Sequence, residues 1–183
     1  MPNLTLPDGA LKEFDQPVSF ADVAKSIGPG LFKSAVAGKI DEKIFDLSYL
    51  INNDSNISII TKESEEGLEI IRHSTAHLMA HAVKELYPEA EVTIGPVIEN
   101  GFYYDFAIEN PFTDEDLKKI EKKMHEIAKQ DLPISREVWL KKDAVEHFKN
   151  ISENYKAEII QEIPDDEDLS IYKQGDWLDL CRG

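Results

Sequence analysis

The sequence is poor in cysteine, in basic residues and in long apolar runs. Cys181 is the one cysteine among 183 residues, which excludes an internal disulfide and is typical of a reducing, cytoplasmic setting. No apolar run approaches the roughly 20 residues that a membrane-spanning helix needs. The first residues also lack the basic and apolar regions of a secretory signal peptide. We therefore expect a cytoplasmic protein that has no membrane partner.

Positive charge is scarce and unevenly distributed. The chain has 20 basic and 36 acidic side chains and a net charge of −16; residues 1–62 carry −2 and residues 63–183 carry −14. A field of this sign opposes non-specific binding of nucleic acid. Any contact with RNA must therefore use a local basic patch, a shaped pocket or additional chain.

The first sixty residues contain no histidine, no cysteine and no glycine-rich loop of the kind that binds phosphate. A turn at Pro7-Asp8-Gly9 separates two short apolar segments and predicts a β-hairpin. Ser19 and Asp22 have the spacing of a helix cap, and 57–61 alternates as a strand. This order of short strands around one helix predicts a ubiquitin-like β-grasp module that binds or positions a partner.

The segment from Leu68 to Tyr87 has no glycine or proline and predicts a helix. His73, His77 and His81 follow one another at intervals of four, so they fall within an arc of roughly 80° on one helix face. A face of imidazoles suits a metal, a proton transfer or a polar ligand, and the spacing alone does not choose among them.

Three further features bear on function. A turn at 99–101 lies within an aromatic hairpin, where the hydroxyl of Tyr104 needs a polar partner. Lys156 stands in an acidic region, which suits either an ordinary salt bridge or a site residue. Asp179 and Cys181 are two residues apart in a final strand and so share one of its faces.

Five motifs taken together resemble the N-terminal region of bacterial-type threonyl-tRNA synthetases. They are, in order, HSTAH, TIGPVIENGFYYDF, PFTDEDL, YKAEI and DLCRG. The resemblance implies an α+β chain: a ubiquitin-like β-grasp TGS domain over 1–62, then an α+β editing domain over 63–183. In that second domain an antiparallel sheet would pack on the long helices predicted at 68–87 and 113–131. Members of the family continue beyond CRG to a further histidine and the synthetase core, so the editing domain is expected to be truncated at its C-terminus.

The same resemblance implies hydrolysis of seryl-tRNA(Thr) formed by misacylation, within an enzyme that ligates threonine to tRNA(Thr) using ATP. The catalytic residues that it implies are His73, His77, Lys156, Asp179 and Cys181, and the substrate-binding residues are Tyr104 and Tyr172. In this interpretation His73 contacts the terminal ribose hydroxyl and assists the activation of water, Lys156 supplies positive charge, and Asp179 holds the amino group of the substrate.

The implied partner is the 3′ end of tRNA(Thr) carrying serine. We expect a monomer, because the family dimerises through its core, and no cofactor, because ATP, magnesium and zinc belong to that core. Two alternatives stay open. A zinc-dependent deacylase of the alanyl-editing type would use His73, His77 and Cys181 as metal ligands. A non-catalytic module would only bind tRNA or protein. A metalloprotease is disfavoured because Ser74 occupies the glutamate position of HExxH.

Overall fold

The computed structural model describes residues 1–181, and the chain divides into two compact units, Met1–Arg72 and His73–Gly183. The division falls within helix α3 (Glu65–Leu86). The domain boundary between residues 62 and 63 stays a prediction. The last two residues of the DLCRG motif, Arg182 and Gly183, lie outside the described residues. Within residues 1–181, no helix is both long enough and apolar enough to cross a membrane.

The first unit is built on a five-stranded sheet in the order β2-β1-β7-β4-β5. Strands β1 and β7 are parallel, the other neighbours are antiparallel, and β3 and β6 form a separate pair. The strands of this unit are β1 (Asn3–Thr5), β2 (Leu11–Glu13), β3 (Val18–Ser19), β4 (Ala35–Ile40), β5 (Lys43–Phe45), β6 (Leu50–Ile51) and β7 (Ser55–Thr61).

Helix α1 (Phe20–Ile27) begins where the sequence predicts it. The Ser19 side chain accepts a hydrogen bond from the Asp22 backbone N–H at 3.1 Å and caps the helix. The fully buried Phe20 ring packs where a side chain on Gly38 of β4 would lie, so only glycine fits at that position. A second short helix, α2 (Pro29–Ser34), follows. The β-grasp prediction for this unit is confirmed.

The second unit combines helices with short antiparallel strands. Its helices after α3 are α4 (Asp114–Lys129), α5 (Lys141–Asn150) and α6 (Asn154–Glu162). Its paired short strands are β8 (Glu91–Val92) with β11 (Phe106–Ala107) and β9 (Val97–Ile98) with β10 (Gly101–Phe102). A three-stranded antiparallel sheet contains β12 (Ile134–Trp139), β13 (Leu169–Gln174) and β14 (Trp177–Leu180), in that order.

The three-stranded sheet has one apolar and one polar face. Leu169 and Ile171 of β13 pack against the apolar sides of α5 and α6, around Phe148 and Ile160. Helix α3 lies on the opposite, polar face, and α4 packs on α3 in a separate apolar cluster. The predicted α+β class, with an antiparallel sheet and long helices, is confirmed, although the shorter helices cover the apolar face. The final strand predicted around Asp179 is present as β14, and it forms a hairpin with β13 that turns at Gly175, whose φ is +62°.

Candidate active site

Alternate residues of β12, β13 and β14 form a regular array on the face of the sheet toward α3. The strand register aligns the first two rows, and the Cys181 backbone N–H donates to the Ser170 carbonyl at 3.0 Å, which extends the alignment to a third. Residues directly opposite each other on antiparallel strands point to the same face. The rows of the array are Ile134–Gln174–Trp177, Arg136–Tyr172–Asp179 and Val138–Ser170–Cys181.

The three histidines of α3 meet the last residue of each row. His81 stacks on Trp177, His77 contacts Asp179, and His73 contacts Cys181. Four residues of an α-helix rise about 6 Å, and two residues of a strand rise about 6.8 Å. A spacing of four on the helix therefore matches a spacing of two on the strand, and each imidazole reaches its own partner.

His73, His77 and Cys181 converge closely. The Nε2 atom of His73 lies 2.8 Å from Sγ of Cys181 and 3.2 Å from Nε2 of His77. One ligand atom from each of these residues lies within 4.8 Å of the other two. Two imidazole nitrogens and a thiolate are ligand types that zinc prefers, so this donor set fits a metal as well as a metal-free reaction.

The charge states of this group are mutually dependent. Burial raises the pKa of the Cys181 thiol, but hydrogen bonds and charge from His73 and His77 outweigh it and lower the pKa to about 6. Burial likewise lowers the pKa of His77, but its contacts with Asp179 and Cys181 outweigh that effect and raise the pKa to about 9. At neutral pH the pair is therefore a thiolate beside an imidazolium.

Asp179 is the centre of the polar network and is only 2% exposed. Its Oδ2 atom accepts a hydrogen bond from the Tyr104 hydroxyl at 2.8 Å and lies 3.1 Å from Nδ1 of His77, at ion-pair distance but without good N–H alignment. Its Oδ1 atom lies 2.7 Å from Nζ of Lys156. Burial raises the pKa of Asp179, but the charges of Lys156 and His77 outweigh it, so the pKa is lowered and the group is a carboxylate.

Lys156 is 3% exposed, and two oxygen acceptors hold its ammonium group in place. Besides the Asp179 carboxylate, its ammonium donates to the Thr93 carbonyl at 2.7 Å. One turn earlier, Glu153 receives the Val92 backbone N–H at 2.7 Å and pairs with Lys84 of α3 at 2.5 Å. This second ion pair, between the buried Glu153 and the half-buried Lys84, links α3 to the start of α6, the helix that carries Lys156.

The two tyrosines are positioned by different means. The Tyr104 ring occupies the space that a Cβ on Gly95 would need, at 2.2 Å, so a glycine at 95 lets the ring approach. Burial first, and then the Asp179 carboxylate, raises the pKa of Tyr104 far above its ordinary value, so the hydroxyl stays protonated and donates. Tyr172 lies directly opposite Asp179 in the strand register.

The structure thus joins His73, His77, Cys181, Asp179, Lys156 and Tyr104 through consecutive contacts. Sequence reasoning missed Lys84, Glu153 and Gly95. His81 lies on the predicted histidine face but is not among the predicted site residues; it is 5% exposed, stacked on Trp177 and 3.1 Å from Oε1 of Gln174. Spacing offered one signal for Lys84, which lies seven residues after His77 and so on the same side of the helix.

Comparison with known proteins agrees with this architecture. Residues 2–61 match the family model described as TGS domain. Over all 183 residues the chain is 63% identical to a threonine–tRNA ligase of Aromatoleum aromaticum and covers 29% of that protein. The corresponding figures are 62% and 29% for the enzyme of an Azoarcus species, and 59% and 28% for that of Alkalilimnicola ehrlichii.

The chain is homologous to the N-terminal region of threonine–tRNA ligases. It spans less than a third of the length of these relatives. The β-grasp unit corresponds to the TGS domain matched over residues 2–61, and the helix that carries the histidines, α3, follows it.

Proposed function

We propose that the second unit is an aminoacyl-tRNA ester hydrolase that removes serine from tRNA(Thr), within a protein that ligates threonine to tRNA(Thr). The observation that carries the proposal is the convergence of His73, His77 and Cys181 beside the buried Lys156–Asp179 pair. Homology to threonine–tRNA ligases supplies the substrate class. The tRNA 3′ end is the partner in this proposal, a single copy of the chain is the acting species, and the cytoplasm is its setting.

Selectivity explains why a threonine–tRNA ligase would need such a unit. Serine lacks one methyl group of threonine, and one methyl group in a binding pocket is worth only about 1–3 kcal/mol. A synthesis site shaped for threonine therefore accepts serine too often. A second pocket whose wall stands where the threonine methyl would lie admits serine and excludes threonine, which gives a double sieve.

Ester hydrolysis needs a water, a proton acceptor and stabilisation of the tetrahedral oxyanion. We assign proton transfer to His73, which would also contact the terminal ribose hydroxyl. The imidazolium of His77 and the ammonium of Lys156 would supply positive charge to the developing oxyanion. Tyr104 and Tyr172 would contact the substrate, Tyr172 from the position opposite Asp179.

We assign Asp179 a different role from the one that the resemblance implies. Its two oxygens already contact His77, Lys156 and Tyr104, and it has almost no exposed surface. An amino group of the substrate would have to displace one of these partners. We therefore propose that Asp179 positions His77 and Lys156, and contact with the amino group stays a prediction.

The test is deacylation of seryl-tRNA(Thr) by His73→Ala and Lys156→Ala variants. We expect losses of at least about a hundredfold, since positioned acid–base groups contribute about that much. His125→Ala is the matched control, because His125 is an exposed histidine on α4. Circular dichroism of each variant separates loss of chemistry from loss of fold. Wild-type rates in both site variants would contradict the proposal.

Zinc-dependent hydrolysis is a second candidate, favoured by the close approach of the His73, His77 and Cys181 ligand atoms. Asp179 beside Nδ1 of His77 is the kind of outer partner that orients a metal-binding imidazole. A bound zinc would supply a water of lowered pKa. Elemental analysis of protein purified without added metal, before and after chelation, distinguishes the two candidates: stoichiometric zinc and loss of deacylation on its removal would favour the metal.

A non-catalytic binding role is tested with the same preparation. A gel shift with tRNA(Thr) beside the deacylation assay separates binding from hydrolysis. Since residues 63–183 carry a net charge of −14, we expect binding of the isolated chain to be weak and salt-sensitive. Tight, salt-insensitive binding without deacylation would favour the binding module.

A further inference from the structure

The array on the three-stranded sheet has three columns, one from each strand, and one of them is left open to solvent. The β14 column is covered by the histidines of α3, whereas the β12 column, Ile134, Arg136 and Val138, is exposed. Ile134 and Val138 are 52% and 53% exposed, which is unusual for two β-branched side chains on one strand face. Tyr172 of the middle column lies between this open column and Asp179.

Arg136 is held in place on this open column. One guanidinium nitrogen donates to the Ser170 hydroxyl at 2.5 Å, while the side chain as a whole stays exposed. Among the nine positions of the array it is the one permanent cation. A guanidinium has five N–H donors, so the bond to Ser170 leaves most of them free to meet an oxyanion.

We propose that Ile134, Arg136 and Val138 form the surface on which the unpaired 3′ nucleotides of the tRNA lie while the terminal ester reaches His73 and His77. Arg136 contacts a phosphate close to the 3′ end, and the two apolar side chains pack against ribose or base. The inference rests on the proposed deacylase function and adds the path by which the RNA arrives.

Charge and continuity favour RNA as the occupant. The row Arg136–Tyr172–Asp179 connects this column to the site. Arg136 and Asp179, at the two ends of the row, are two strand spacings apart, which is about 10 Å. Each nucleotide brings one phosphate, and a chain with a net charge of −16 needs a local cation to accept it. Single-strand binding grooves combine cationic side chains with aromatic rings on which bases stack, and this row places Arg136 opposite Tyr172.

The binding test uses a fluorescent RNA tetranucleotide with the sequence of the tRNA 3′ end and an amide-linked serine that cannot be hydrolysed. Arg136→Gln should weaken binding by about tenfold and reduce the slope of log affinity against log salt by about 0.7. Lys122→Gln, which removes one exposed charge on α4, is the matched control and should change neither quantity. Val138→Lys should strengthen binding by about threefold at low salt.

The kinetic test separates this surface from the reaction itself. The ratio of kcat/KM for seryl-tRNA to that for 3′-seryl-adenosine, which has no upstream phosphate, should fall about tenfold in Arg136→Gln. Equal losses on both substrates would overturn the proposal, because Arg136 would then act through Ser170 on the site. Unchanged binding in Arg136→Gln would also overturn it.

The outcomes distinguish the two levels of the proposal. If the wild-type chain hydrolyses neither substrate but Arg136→Gln still weakens RNA binding, the deacylase function fails and the RNA surface stands. If deacylation is normal and Arg136→Gln matches the Lys122 control, the function stands and the surface fails. Concentration-dependent sedimentation of the wild type that Val138→Lys abolishes would mean that a second copy occupies β12, and would overturn the RNA assignment.

Discussion

At the scale of single residues, the candidate site consists of charges that neutralise one another. The thiolate of Cys181 faces the imidazolium of His77, the carboxylate of Asp179 faces the ammonium of Lys156, and Glu153 faces Lys84. Taking an ion out of water is costly unless a partner of opposite charge remains in contact. Removal of one partner therefore leaves the other buried without compensation, so variants at this site need a check of folding beside each rate.

The first residue-scale prediction concerns Cys181. Its lowered pKa means that the thiolate is present above a pH of about 6, and His77, with a pKa of about 9, stays protonated across the same interval. The imidazolium–thiolate pair should therefore persist between about pH 6 and pH 9 and be lost on either side. Absorbance of the thiolate near 240 nm, measured on chelator-treated protein, should rise with a midpoint near pH 6.

His77→Gln is the comparison for this titration. Without the imidazolium, burial should dominate and raise the pKa of Cys181, so the midpoint should move to higher pH. Cys181→Ser supplies the baseline, because Cys181 is the one thiol in the chain. A midpoint above pH 8 in the wild type would contradict the thiolate assignment.

The second residue-scale prediction concerns Gly95. A Cβ at this position would lie 2.2 Å from the Tyr104 ring, so Gly95→Ala must displace the ring and weaken its hydrogen bond to Asp179. Overpacking of this kind costs about 1–3 kcal/mol of stability. In a Tyr104→Ala background the same substitution should cost nearly nothing, and a double-mutant cycle from thermal unfolding measures the difference. Equal losses of stability from Gly95→Ala with and without Tyr104→Ala would show that contact with the Tyr104 ring is not the reason for glycine at position 95.

At the scale of elements, helix α3 and strand β14 fit together because four residues of a helix and two residues of a strand span nearly the same length. Histidines four apart on the helix meet residues two apart along the strand and its extension. This fit explains why His81, which has no place in our proposed reaction, is nevertheless buried. Its stacking on Trp177 fixes the row next to the one whose Asp179 contacts His77.

Local patterns predicted most of the elements, because periodicity, caps and turns are written in neighbouring residues. The cap at Ser19, the turn at Pro7-Asp8-Gly9 and the helix that carries His73 and His77 all follow from such patterns. The hairpin turn at Gly175 was missed, since alternation continues on both sides of it.

The partners of the histidines could not be predicted from spacing. His73 and Cys181 are 108 residues apart, and only the resemblance to a known family pointed to their proximity. Lys84 and Glu153 were missed because a single charge has no pattern in a chain that is 31% charged. Residues whose partners are remote in sequence thus required the structure.

The element-scale prediction concerns the capping box at the start of α4. Thr113 accepts a hydrogen bond from the Asp116 backbone, and the Asp116 side chain accepts one from the Thr113 backbone N–H at 3.0 Å. Thr113→Ala should therefore lower stability by about 1 kcal/mol. Hydrogen bonds from Thr113, then Lys119, hold the pKa of Asp116 well below its usual range.

The sign of the pH dependence follows from that lowered pKa. Asp116 should stabilise the fold fully above the pKa of an unfolded aspartate, near 4, and progressively less as pH falls below it. The difference in unfolding temperature between wild type and Asp116→Asn should be constant from pH 7 to pH 5 and shrink towards pH 3. A difference that grows on acidification would contradict this assignment.

At the scale of the whole molecule, net charge and the proposed substrate oppose each other. The chain carries −16 overall, and the RNA that we propose as its substrate is a polyanion. The acidic turn Pro164–Asp168 stands immediately before β13, at the end of the sheet where Ser170 faces Cys181. Its carboxylates should therefore repel an RNA that approaches the open column of the array, and the repulsion should be confined to about one Debye length.

The last prediction tests this repulsion. Neutralising the exposed Asp166 and Glu167 together, as Asp166→Asn with Glu167→Gln, should strengthen binding of tRNA(Thr) by about threefold at low salt and have no effect at high salt. The pair Glu115→Gln with Glu121→Gln on α4 makes the same change in net charge and should give a smaller gain, because those side chains stand on a different element. Fluorescence anisotropy over a salt series measures both. Equal gains from the two pairs would mean that net charge alone limits binding, and that the position of the acidic turn beside the site has no separate effect.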